Sequence, residues 1–103
     1  MENFKSYRAS VGTTLDTVYT VPASTTAIIL GCQVANRGAG NGWASLAWTR
    51  GVDTTYLAYE IGVPEGAAWG LVTGKAVLQA GDVLKAQAQG DVDLTLSLVE
   101  VSP

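Results

Sequence analysis

Asp91 and Asp93 stand two residues apart and could offer carboxylate oxygens to a calcium ion. Their setting argues against it. Asp93 falls on the polar side of an alternating run, and Asp91 follows Gly90 in a turn, where Asp is ordinary. Glu60 and Glu65 flank a second turn without an evident acid–base partner. The chain has no His, which removes the usual base, relay and imidazole ligand. Its one cysteine, Cys32, cannot form a zinc-binding pair and reads as a reduced, buried small hydrophobe. Two glycine-rich stretches imitate nucleotide loops. Gly38-Ala39-Gly40-Asn41-Gly42 closes one residue early for a dinucleotide loop, and no helix follows. Gly70 to Lys75 is one residue short of a phosphate loop, and Ala76 stands where Ser or Thr is needed. Both read as strand-end glycines. No catalysis, cofactor or metal is expected.

The aromatic residues are the remaining candidates. Trp43, Tyr56, Tyr59 and Trp69 could form a platform for sugars, or they could be core and interface anchors. Trp43 and Trp48 are five residues apart, so a strand puts them on opposite faces. If Leu46 and Trp48 face the core, Trp43 is left outside. The expected interface set is Trp43 and Tyr56, with Trp69, and with Arg37 as a polar contact at the rim.

These residues must be positioned by strands, because helix signals are nearly absent. Val92, Leu94, Leu96 and Leu98 alternate with Asp93, Thr95 and Ser97, the pattern of a strand with one dry and one wet face. Leu84, Ala86 and Ala88 alternate with Lys85, Gln87 and Gln89 just before them. A hairpin with a three-residue loop, Gly90 to Val92, would set Ala88 opposite Leu94 and Leu84 opposite Leu98. The alternative puts the two strands in different sheets. Further strands are expected over 15–21, 25–36, 43–50, 55–61, 67–72 and 75–79. In the second of these Ile28, Leu30, Cys32 and Val34 share a face, with Ala27, Ile29 and Gly31 on the other. Apolar residues on both faces suggest a central strand covered on both sides. Val63-Pro64-Glu65-Gly66 has the residues of a type I turn. Residues 1–10 are polar and aperiodic and read as an arm, leaving a domain over 11–103. About eight short strands make an all-β, single antiparallel sandwich, jelly-roll-like or Ig-like.

Composition bounds the partners. Of 103 residues, 48% are hydrophobic and only 15% charged, against about 25% charged in an average domain. A domain this small cannot bury that much apolar surface internally, so part of it should meet copies of itself or a partner. Net charge is −3, and the six basic residues are scattered, which argues against nucleic acid. No apolar run approaches a membrane span or a signal peptide, so no membrane partner is expected.

Several segments in order carry a resemblance. They are Val18-Tyr19-Thr20-Val21-Pro22-Ala23, then Thr26 to Gly31, then Val34-Ala35-Asn36. Val63-Pro64-Glu65-Gly66, Val77-Leu78-Gln79-Ala80-Gly81-Asp82 and Val92 to Ser97 follow. From about Thr14 to Glu100 the chain resembles small β-sandwich structural proteins of tailed-bacteriophage virions. That group includes capsid decoration, or cement, proteins and others of necks, tails and head fibres. The resemblance implies a non-enzymatic virion component, attached as a multimer, with a homotrimer on the major capsid protein or another virion protein as the expected form. It carries over no functional residue. A carbohydrate-binding module is the alternative from another class.

Overall fold

The computed structural model describes residues 1–103. Nine strands run in order: β1 (Glu2–Val11), β2 (Asp16–Thr20), β3 (Thr26–Asn36), β4 (Gly42–Arg50), β5 (Asp53–Val63), β6 (Ala68–Gly70), β7 (Ala76–Leu78), β8 (Val83–Gln89) and β9 (Val92–Val101). They form two antiparallel sheets. The first is ordered β1-β9-β3-β6, with β7 also on β3, and the second β2-β8-β4-β5.

The pairing has a simple logic. β4 pairs with β5, β3 with β6 and β7, β2 with β8, and β1 with β9. The chain is one long hairpin with its bend at Gly51-Val52, wrapped so that successive strands alternate between sheets for most of its length. This is the jelly-roll form of a β-sandwich.

That topology corrects the expected hairpin. β8 and β9 do not pair; they lie in opposite sheets. Leu84, Ala86 and Ala88 share one buried cluster with Leu94, Leu96 and Leu98 because the two sheets face each other across the core. The arm is corrected too. Glu2–Val11 is the edge strand of the first sheet, in an unbroken ten-pair register with β9. Its pattern hid it because only Tyr7 and Val11 are even half-buried. The proline turn sits one residue later than expected: the Ala67 amide donates to the Pro64 carbonyl, and Gly66 takes φ +76°. A positive φ at the third position is a type II requirement that glycine meets without strain.

The core holds 19 residues, among them Ile29, Val34, Leu46, Leu78, Leu84, Leu94, Leu96 and Leu98. Ile28 and Leu30, expected to share a face with Cys32 and Val34, are not part of it. The register of β3 against β9 shifts between Ile29 and Gly31, leaving Leu30 as an extra residue. Such a bulge reverses the facing of everything beyond it. Ala27 and Ile29 therefore point inward before the bulge and Cys32 and Val34 after it, while Ile28 and Leu30 face out.

Candidate interaction surface

The bulge at Leu30 leaves Ile28 and Leu30 facing outward while Cys32 and Val34 face the core. Directly opposed residues in an antiparallel ladder share a face. Phe4 is opposite Val99, Val99 opposite Ile28, and Ile28 opposite Val77. These four make a row across four strands on the outer face of the first sheet. Phe4 at 73% exposure and Val77 at 48% stand open at its ends. Val99 is buried in its middle, yet lies outside the core cluster. Leu30, 42% exposed, and Val101 flank the row. This surface is not legible in the sequence, where its one signal is the pair of apolar faces around Ile28.

The expected interface residues are dispersed. Trp43 is on the outer face of the second sheet, opposite both Gln89 and Gly62. It is half-buried there, and its indole N–H donates to Gln89 Oε1 at 2.7 Å. Arg37 leaves the loop after β3 and is already engaged: its Nε donates to Asp93 Oδ2 at 3.0 Å. The other oxygen of Asp93 accepts from the Ser10 hydroxyl, so both oxygens of that carboxylate have partners within the chain. Tyr56 stacks edge-on with Tyr59 on β5, ring centroids 4.8 Å apart. Trp69 is on β6, in the other sheet, opposite the core residue Val34 but half-exposed at the sheet edge. Of the four aromatic residues considered as a sugar platform, only Tyr56 and Tyr59 meet.

Two buried carboxylates organise the rest. Asp82, in the turn between β7 and β8, takes two bonds from Arg50, one from the Trp48 indole N–H and one from the Gln79 amide. Arg50 also lies over the Trp48 ring, 5.5 Å from its centroid. The guanidinium holds the Asp82 carboxyl down to a pKa of about 2, against the opposing effect of burial. Glu100, facing inward at the end of β9, accepts from the Tyr19 hydroxyl at 2.6 Å and pairs with Lys5 at 3.0 Å. The tyrosine bond first, and then Lys5, lower the Glu100 pKa against burial, and the bond and charge of Glu100 raise that of Lys5. Neither carboxylate stands out in the sequence, because their partners lie in distant strands. Burial pushes the Cys32 thiol up to about 12, which makes it unreactive.

The glycine loop is held by Asn36, whose amide donates to the Gly40 and Val63 carbonyls and whose oxygen accepts from the Gly38 amide. At Gly42 a Cβ would fall 2.1 Å from the Gln89 carbonyl oxygen, so only glycine fits. The loop is a connection between strands, held by these bonds and largely exposed.

No protein-family model and no curated protein matches the chain. Its fold is similar to that of a pentameric capsid protein isolated from metagenomic phage sequences, at 20% identity and a TM-score of 0.50 over 90% of this chain and 58% of that one. A second structure under the same description, solved by iodide phasing, gives 20% identity and a TM-score of 0.49, covering 90% of this chain and 66% of that chain. The chain thus spans little more than half the length of the first neighbour. At this identity the likeness is one of fold.

Proposed function

We propose that this chain is a non-enzymatic structural component of a phage particle. Within that class we place it as a decoration protein, seated on the outside of the shell of major capsid protein. The observation that carries the reading is the outward apolar row Phe4–Val99–Ile28–Val77, with Leu30 beside it, on a chain of low charge. Such a row in water is unfavourable, and contact with another protein removes it from water. The fold it shares with a phage capsid protein and the resemblance in its sequence support the same class. A rigid sandwich touching several shell subunits would couple them, since each added contact is effectively intramolecular. The resemblance favours three copies; the pentameric neighbour makes five the competing number.

A density map of the parent particle tests the reading. The expected result is this sandwich on the outer capsid surface, with the Phe4–Val77 face turned toward a neighbour. Density at the neck, tail or head fibres would replace decoration with an accessory role there, and absence from the particle would remove the virion reading altogether. A sugar titration followed by Trp fluorescence should show no change; saturable quenching would favour the carbohydrate-binding alternative.

A further inference from the structure

The four sheet edges are not equally protected. A free edge offers unpaired N–H and C=O groups to any other strand, and proteins blunt it with short strands, bulges, proline or charge. β2 has five residues and a register shift, and β6 and β7 have three each. β5 is long, but it pairs with β4 through two register shifts and holds Glu60 at φ +47°. β1 has ten residues, no Gly or Pro, and no register shift.

The geometry of β1 says which groups are free. Met1 and Ser102 exchange both backbone bonds. In an antiparallel ladder such pairs alternate with non-bonded ones. The odd residues of β1 therefore point their N–H and C=O at β9, and Glu2, Phe4, Ser6, Arg8 and Ser10 point theirs outward. Their side chains share the outer face with Val99.

We propose that the β1 edge pairs antiparallel with β1 of a second copy about a two-fold axis through Ser6, joining two first sheets into one. In this register Ser6 meets Ser6, and Phe4 lies opposite Arg8 of the second copy, a cation–π pair made twice. Glu2 is the diagonal neighbour of the same Arg8, giving an ion pair twice. Centring the axis on Lys5 would set two cations opposite each other. Centring it on Tyr7 would leave Glu2 beyond the end of the partner strand. The contact is isologous. It is independent of any ring contact and of the virion reading: it makes a dimer alone, or links copies in adjacent rings.

Cysteine cross-linking tests it, because Cys32 is buried and the chain has no other thiol. A Ser6→Cys chain, mildly oxidised, should form a covalent dimer in high yield, since opposed strand residues meet disulfide spacing. Ser10→Cys, which faces Glu2 of the second copy, should form little; mixed with Glu2→Cys it should give the cross-linked pair. Ser6→Pro removes only an outward N–H, so the β1–β9 ladder stays whole. It should weaken self-association at least about tenfold, with circular dichroism unchanged. Equal cross-linking at Ser6 and Ser10, or a folded Ser6→Cys chain that stays uncross-linked, would overturn the proposal.

Discussion

The outer face of the first sheet has two unlike halves. Along β9 the outward residues begin as Asp93, Thr95 and Ser97 and end as Val99 and Val101. The polar half is joined by Arg8, Ser10 and Gln33 on the neighbouring strands, and the apolar half by Phe4, Ile28 and Val77. The inward side of the same strand makes no such change: Val92, Leu94, Leu96 and Leu98 are buried, and so is Glu100 at its end. One strand thus carries a uniform face fixed by the core and a divided face that the core does not require. Residues free of packing demands in the polar half suit water, and those in the apolar half suit contact with another molecule.

Substitutions can separate the two faces. Leu96→Ala, on the inward side, should cost about 2–5 kcal/mol of stability in denaturant unfolding; a loss within error of zero would mean that the core does not rest on β9. Asp82→Ala leaves the part-buried donors of Trp48 and Gln79, and the Arg50 guanidinium, without their acceptor and should cost about 1–3 kcal/mol. The same carboxylate sets an acid limit. Its folded pKa of about 2 is below the ordinary value of about 4. Its contribution is therefore complete above about pH 4 and is lost as pH falls toward about 2. Glu100 acts in the same direction. Melting temperature against pH should fall through that window in the wild type and more shallowly in Asp82→Asn; parallel curves would assign the acid limit to other groups. Trp43→Ala should leave the fold intact and weaken self-association or particle binding by about 2 kcal/mol; a collapse of the circular dichroism signal would make Trp43 a structural residue. Phe4→Ser, in the apolar half, should change stability by no more than about 0.5 kcal/mol while reducing self-association. A large stability loss there would erase the distinction between the faces.

Much of the sandwich was legible because one-sided burial writes itself as alternation, as in Leu94, Leu96 and Leu98 against Thr95 and Ser97. Pairing was not. Leu84, Ala86 and Ala88 match Leu94, Leu96 and Leu98 equally well across a ladder or across a core, and alternation cannot tell the two apart. The bulge at Leu30 was invisible because both faces of β3 are apolar, so a one-residue slip leaves no trace in the pattern. β1 was missed because a peripheral strand held by backbone bonds needs no apolar stripe. Of the candidate site, the facing of Trp43 was readable from its spacing to Trp48. The Phe4–Val77 row was not, since its members come from four strands brought side by side only by the jelly-roll order.

Sedimentation of the unmodified protein across a concentration series shows whether the proposed contacts between protein copies form. A discrete species of more than one copy is expected at micromolar concentration, with Phe4→Ser shifted toward the single chain. A wild-type protein that sediments as a single chain throughout that range would contradict that expectation.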